Sequence, residues 1–344
     1  MSGPSIAIEG VRRVLLRAPN WLGDTVMAVP ALRALRRALP EAELWVLGPW
    51  APALLEAEPG LGRCLQAPAD WGARWTTARA LRAAPPDVAV LLPNSFASAL
   101  EARLAGARVR IGYAGDGRTA LLTHPVPPPA VRVHQVAAYL GLLEVLGVAD
   151  PPTPPRLHVA PARHDEAGAL ARSVGVTAAA GAVAIQLGAA FGPSKLWPAD
   201  RLAALAAALE RDGRTVVFLG GPTAGPLLAA VAQARGAPVR SLVGRDHPAL
   251  LPALLTRFAV LVAPDSGPAH VAAAVGVPVV TLFGPTDPRL TAPLGPGHAP
   301  LWRRPPCAPC FLARCPIDHR CLRGLEVEEV LAAVRAISGA RAGA

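Results

Sequence analysis

Three short segments of this chain combine residue types that can do chemistry, and each sits where a buried strand gives way to a helix. The first is Pro19-Asn20-Trp21-Leu22-Gly23-Asp24. Gly23 permits a tight turn, and Asp24 falls at or near the start of a helix, where a carboxylate is favoured by the exposed amides and stays ionised. Such a group can cap the helix, or it can act as a general base. The second is Leu187-Gly188-Ala189-Ala190-Phe191-Gly192-Pro193-Ser194-Lys195. Gly188 and Gly192 let backbone amides approach a ligand. Ser194 and Lys195 stand where a phosphate would be held. Lys195 is the single lysine in a chain that otherwise uses arginine. The spacing is not that of a Walker loop. The third is Pro264-Asp265-Ser266-Gly267-Pro268-Ala269-His270. Asp265 or Ser266 would cap the helix, whose open amides and dipole suit a diphosphate. Gly267 opens that helix, and His270 falls one turn in.

These segments need strands to carry them. Apolar runs predict strands over 11–17, 43–47, 88–92 and 109–111, and again over 183–187, 215–219, 260–263 and 279–283. Helical spacing is read between them over 25–39, 76–83, 96–104 and 134–146, then over 202–209, 247–255, 269–275 and 326–337. Alternation of this kind gives parallel sheets covered on both faces, with ligands beyond the carboxyl ends of the strands. The proline-dense stretch 150–155 reads as a linker. The expected fold class is therefore α/β, with two doubly wound Rossmann-like domains facing a central cleft. The expected parts are an N-terminal domain 1–155 that presents a base and the acceptor, a C-terminal domain 156–325 that binds a nucleotide sugar, and a C-terminal helix and tail 326–344.

Length and composition fit this plan. The chain has 344 residues, 52% of them apolar, enough for two cores. Its formal net charge is +10, with the arginines scattered and no nucleic-acid motif. An acidic, membrane-associated substrate fits that charge better than nucleic acid does. The uncharged stretches 174–194 and 268–286 are cut by Gly and Pro, so they read as buried elements rather than spans. The short apolar run near Val14, flanked by Arg12, Arg13 and Arg17, is not a secretory signal. The chain is expected to be cytoplasmic. No DxD triplet occurs, so Lys195 and helix termini would neutralise a leaving diphosphate without a divalent metal or other cofactor. The absent G-x-G-x-x-G counts against a nicotinamide-dependent oxidoreductase. Four cysteines cluster as Cys307-x2-Cys310-x4-Cys315-x5-Cys321, with His319 nearby. A structural metal, disulfides and reduced thiols all stay open for them, as does a metal-bound redox or interaction module.

With these residues in view, the chain resembles the family 9 glycosyltransferases, the heptosyltransferases of lipopolysaccharide core synthesis. The resemblance rests on Pro19–Asp24, on Leu92-Pro93-Asn94-Ser95-Phe96-Ala97-Ser98-Ala99-Leu100, on Phe191–Pro198, and on Asp265–Ala274 followed by Phe283-Gly284-Pro285-Thr286. It departs at Ala190, where the family pattern suggests an acidic residue. The resemblance implies a GT-B fold and an ADP-heptose donor. It also implies inverting transfer onto the first heptose of a Kdo–lipid A acceptor at the cytoplasmic face of the inner membrane. Asp24 matches the family's base and Lys195 its phosphate-binding lysine. Asp265, Ser266, Gly267 and His270 match donor-site positions. Asn94, Ser95 and Arg118 are the acceptor candidates, since arginine pairs well with the phosphates and carboxylates of an inner core. A related sugar transferase with another acceptor is the alternative.

Overall fold

The computed structural model describes residues 9–177 and 181–342. Residues 1–8 of the first expected domain, 178–180 of the uncharged stretch and 343–344 of the expected tail lie outside them. The chain divides into two compact units, Met1–Pro155 and Arg156–Ala344.

Unit 1 runs β1 (Arg13–Arg17), α1 (Leu22–Met27), α2 (Val29–Ala38), β2 (Glu43–Gly48), α3 (Ala51–Leu54), β3 (Arg63–Gln66), α4 (Trp71–Arg82), β4 (Val88–Leu91), α5 (Phe96–Leu104), β5 (Val109–Tyr113), β6 (His124–Val126) and α6 (Gln135–Gly141). Its strands form one sheet in the order β3-β2-β1-β4-β5-β6. Every pairing in it is parallel. The interior of each central strand is an unbroken apolar run, Val14–Leu16, Leu44–Leu47 and Val88–Leu91, because both faces are covered. Leu15, Trp45, Leu47, Ala89 and Leu91 make one side of that core with Ala99 and Ala102 of α5. The single helix expected over 25–39 is two, broken at Ala28. Pro30 explains the break: it has no N–H to give to Val26, and its ring crowds that carbonyl.

Unit 2 runs α7 (Ala162–Arg172), β7 (Val183–Gln186), α8 (Ala199–Arg211), β8 (Val216–Leu219), α9 (Gly225–Arg235), α10 (Leu251–Leu255), β9 (Val260–Pro264), α11 (Gly267–Ala274), β10 (Val279–Phe283), α12 (Pro288–Thr291), β11 (His298–Trp302), α13 (Arg320–Arg323) and α14 (Val327–Ala342). The strands form a second parallel sheet, ordered β11-β10-β9-β7-β8. Val183, Ile185, Phe218, Val262 and Leu282 pack with Leu202, Leu205 and Leu209 of α8 and with Val330 and Val334 of α14. The last helix therefore closes the core of unit 2. The uncharged stretch 268–286 is an interior helix and strand, α11 and β10, as its Gly and Pro content implied. No helix among the described residues is long and apolar enough to cross a membrane.

Candidate functional site

In unit 2, strand pairing gathers distant residues into a candidate anion site. Ile185 of β7 pairs with Val262 of β9, and Leu282 of β10 pairs with Pro264. Loops 187–195, 264–270 and 283–287 therefore leave the carboxyl ends of three adjacent strands. Lys195 Nζ donates to Asp265 Oδ2 at 2.6 Å and to the Asp265 carbonyl at 2.9 Å. Both side chains are almost closed to solvent, 11% and 6% exposed. Asp265 Oδ2 also accepts from Thr286 Oγ1 at 2.7 Å, and Oδ1 from Thr291 Oγ1 at 3.3 Å. The ammonium stands 4.8 Å from the centre of the Phe191 ring. An ammonium has three N–H donors. Asp265 takes two, which fixes Lys195 in place and leaves one for an anion.

Ser266 is the N-cap residue of α11, but its hydroxyl does not cap the helix. Its Oγ is buried and has no partner within the protein. An orphaned hydroxyl at a helix start, beside an anchored ammonium, suits an oxyanion. Gly267 is the first residue of α11, and His270, one turn in, is buried. Gly188 lies over Gln186, whose Nε2 would be 3.1 Å from any added Cβ and whose Oε1 is a second buried orphan.

Ser194 faces the other way. It is buried, its Oγ donates to the Leu312 carbonyl at 2.6 Å, and its N–H donates to the Ala313 carbonyl at 3.1 Å. Ser194 thus anchors the loop, and the expected phosphate contact does not come from its hydroxyl in this conformation. Gly192 has φ +147, and a Cβ there would sit 2.4 Å from the Ala313 oxygen. Phe311 N–H donates to Pro285 O at 2.9 Å, so segment 311–313 straps two of these loops.

That strap belongs to the cysteine-rich segment. Cys307, Cys310, Cys315 and Cys321 line a cavity of about 20 Å³ together with Ser194 and Pro285. All four are free thiols; Cys307 and Cys310 are exposed and Cys321 is buried. Burial pushes the Cys321 thiol up. Among the described residues, no group of three His, Cys, Asp or Glu side chains is placed to hold a metal ion.

In unit 1, Asp24 lies in the first turn of α1, half-buried, with Trp21 as the N-cap residue. Burial raises the Tyr139 hydroxyl well above its ordinary range, and the nearby Asp24 carboxylate raises it further. The loop ahead of Asp24 is tied down. Arg17 Nη2 donates to Asn20 Oδ1 at 3.0 Å, Trp50 Nε1 to Asn20 O at 2.9 Å, and Thr25 Oγ1 to Trp21 O at 3.0 Å. Arg17 is 2% exposed and pairs with the buried Glu101 at 3.1 Å, which also pairs with Arg74 at 2.9 Å. Burial lowers the Arg17 pKa, and Glu101 opposes that shift. Sequence reading passed over this triad, because each member taken alone resembles a surface charge.

The acceptor candidates divide. Asn94 is exposed, and Ser95 caps α5 by accepting from Ser98 N at 3.3 Å. Arg118 is a correction. It was expected to meet acidic groups of an acceptor, yet it is fully buried. Its guanidinium donates to Tyr113 O at 3.0 and 2.9 Å, to Ser98 Oγ at 3.3 Å, to Asn94 Oδ1 at 3.1 Å and to Pro93 O. All five N–H groups are consumed within the protein, so Arg118 positions Asn94 rather than reaching outward. Burial lowers its pKa as well.

Comparison with known proteins agrees with this architecture. Residues 74–320 match glycosyltransferase family 9 (heptosyltransferase). The chain is 31% identical over 300 residues to lipopolysaccharide heptosyltransferase 2 of Escherichia coli (strain K12), covering 82% of this chain and 85% of that protein. It is 28% identical over 293 residues to lipopolysaccharide heptosyltransferase 3 of Escherichia coli, covering 77% and 81%. Among solved structures, a family 9 glycosyl transferase from Veillonella parvula superposes with a TM-score of 0.83 at 22% identity, covering 95% of this chain and 97% of that one. E. coli ADP-heptose LPS heptosyltransferase II superposes with 0.79 at 28% identity, covering 96% and 99%. The chain thus has a GT-B-like α/β fold of two Rossmann-like units, each with one parallel sheet. The chain belongs to the family 9 glycosyltransferases, the heptosyltransferases.

Proposed function

We propose that this chain transfers heptose from ADP-L-glycero-D-manno-heptose to the first heptose of the lipopolysaccharide inner core, with inversion at the anomeric carbon. The observation that carries the donor half is Lys195, buried, anchored by Asp265 and left with one N–H beside the open start of α11. The likeness to a protein described as an ADP-heptose LPS heptosyltransferase supports the nucleotide and the sugar.

The reaction is a single displacement. Asp24 takes the proton of the acceptor hydroxyl while that oxygen attacks the anomeric carbon. The bond from that carbon to the diphosphate breaks, and the electron pair leaves with ADP. Charge grows on the departing phosphate, where Lys195, Ser266 Oγ and the α11 amides stabilise it. Gly188, Gly267 and His270 line the donor side. Ser194 holds the loop, and Asn94, set by Arg118, serves the acceptor side. No DxD carboxylates are present to hold a cation on the diphosphate, so activity should persist in excess chelator. The work is done in the cytoplasm, at the inner membrane face where the lipid A–Kdo–heptose acceptor resides.

Binding of a panel of nucleotides and nucleotide sugars tests the donor, with ADP and ADP-heptose expected to bind best. Preference for a uridine or guanosine nucleotide would sink it. The likeness to heptosyltransferase 3 favours a second reading, the same donor with a different acceptor. Transfer to acceptors carrying one heptose or a longer core separates the two.

A further inference from the structure

We propose that Asn20 and Asn94 together bind an oxyanion, a carboxylate or a phosphate, that the acceptor carries beside the hydroxyl Asp24 deprotonates. This deepens the proposed function and rests on its acceptor half. The chain has two asparagines in 344 residues, and these are the two. They follow neighbouring strands at the same interval. β1 ends at Arg17 and β4 at Leu91, the two strands pair in parallel, and Arg17 stands opposite Leu91. Leu92 N–H donates to Arg17 O at 3.2 Å, which carries the register one step further. Asn20 and Asn94 each come three residues after their strand ends, and the strands run about 4.8 Å apart. Asn20 lies just ahead of α1, whose first turn holds Asp24.

The usual reasons for asparagine in a loop do not apply. Neither residue has a positive φ, and neither caps a helix: the N-cap residues of α1 and α5 are Trp21 and Ser95. Instead, each is held by a buried arginine. Arg17 Nη2 donates to Asn20 Oδ1 at 3.0 Å, and Arg118 Nη2 donates to Asn94 Oδ1 at 3.1 Å. A guanidinium has donors only, so each amide must turn its oxygen inward and its NH2 group away. Both asparagines are exposed, and neither NH2 group has a partner among the described residues. The charge behind them favours an anion. Arg118 is fully buried, its partners are neutral oxygens, and it forms no ion pair among the described residues. Asp116, the carboxylate that acts on it, is exposed. Arg17 and Arg74 share one carboxylate, Glu101. Three guanidiniums therefore stand against one carboxylate behind the two amides. An enclosed charge without a counterion is costly, and an oxyanion on the amides supplies the counterion. A neutral hydroxyl would take the same hydrogen bonds but leave the charge unanswered.

The test uses the full chain labelled with heavy nitrogen at asparagine, which gives two side-chain NH2 signals, told apart by Asn20→Asp and Asn94→Asp. The titrants, without donor, are a deacylated soluble acceptor, its carboxyl-reduced form, its dephosphorylated form and inorganic phosphate, at matched ionic strength. Both signals are expected to move with the intact acceptor and with inorganic phosphate. At least one of the two altered acceptors should lose the effect, which tells carboxylate from phosphate. In Asn94→Asp the acceptor KM should rise on the order of tenfold or more, the scale of one charge-assisted hydrogen bond. Its ADP affinity should match wild type, and its Tm should not fall, because the new carboxylate pairs with Arg118. A wild-type acceptor KM in Asn94→Asp would overturn the proposal, since a hydroxyl can donate to a carboxylate where an anion cannot. So would full shifts with both altered acceptors, which would assign the amides to neutral hydroxyls. A lowered Tm with weakened ADP binding would make Asn94 a structural support and count against the proposal equally. Transfer to the intact acceptor with both signals unmoved would end this proposal and leave the transferase reading standing. Signals that move with inorganic phosphate in a chain that transfers to no acceptor would fail the transferase reading alone.

Discussion

Replacing Lys195 with Met removes one half of a buried ion pair and keeps the side-chain bulk. Its Nζ lies 2.6 Å from Asp265 Oδ2, and the two side chains are 11% and 6% exposed. Breaking such a pair by deleting one partner costs about 3–5 kcal/mol, because the surviving charge stays buried. Thr286 and Thr291 still donate to the Asp265 carboxylate, which places the loss near the lower end, about 3 kcal/mol. For a unit of this size, each kcal/mol shifts Tm by about 2–4 °C, so the transition of unit 2 should fall by about 6–12 °C. Lys195→Met/Asp265→Asn removes both charges and should be no less stable than Lys195→Met. A double-mutant cycle by thermal and urea unfolding reads that coupling. Calorimetric titration of ADP reads the other role. Losing one charge-assisted hydrogen bond, about 1.5–3 kcal/mol, should weaken ADP by roughly 10- to 150-fold. Additivity of the two substitutions within about 0.5 kcal/mol would refute the pairing, and unchanged ADP affinity in Lys195→Met would remove the phosphate contact.

Two further substitutions probe the supports of the site. Glu101→Ala strands Arg17 at 2% exposure and frees Arg74; it should cost about 3–5 kcal/mol in urea unfolding of unit 1, and a loss under 1 kcal/mol would contradict the triad. Gly192→Ala puts a Cβ 2.4 Å from the Ala313 oxygen at φ +147. It should destabilise by about 1–3 kcal/mol and weaken ADP by displacing the Lys195 loop, and wild-type values of both would show that the 311–313 strap yields freely.

How much of this was legible in the chain follows from burial. Strands such as Val88–Leu91 and Val260–Pro264 are covered on both faces, so they read as unbroken apolar runs. The edge strands β3, β6 and β11 are partly exposed and mixed in composition, and one holds Pro125, so no run marks them. Helices α7 and α9 were missed because they are rich in alanine and bury only a few side chains, leaving little apolar periodicity to see. At the candidate donor site, residue types and strand-to-helix position pointed to Lys195 and Asp265 separately. Their contact spans 70 residues and depends on β7 and β9 being neighbours in the sheet, which chain order does not reveal. Thr286 lay in a segment already marked, but its bond to Asp265 needed the third strand, β10. Arg17 and Arg118 misled for one reason. Arginine is abundant here and normally exposed, and only the folded chain shows which guanidiniums are enclosed.

The central claim is that Asp24 removes the acceptor proton while Lys195 holds the leaving diphosphate. Single-turnover transfer by Asp24→Ala, measured beside its ADP affinity, addresses it most directly. The expected result is a rate lower by at least about 100-fold with ADP binding unchanged, as befits loss of a general base. Turnover at the wild-type rate would take Asp24 out of the chemistry.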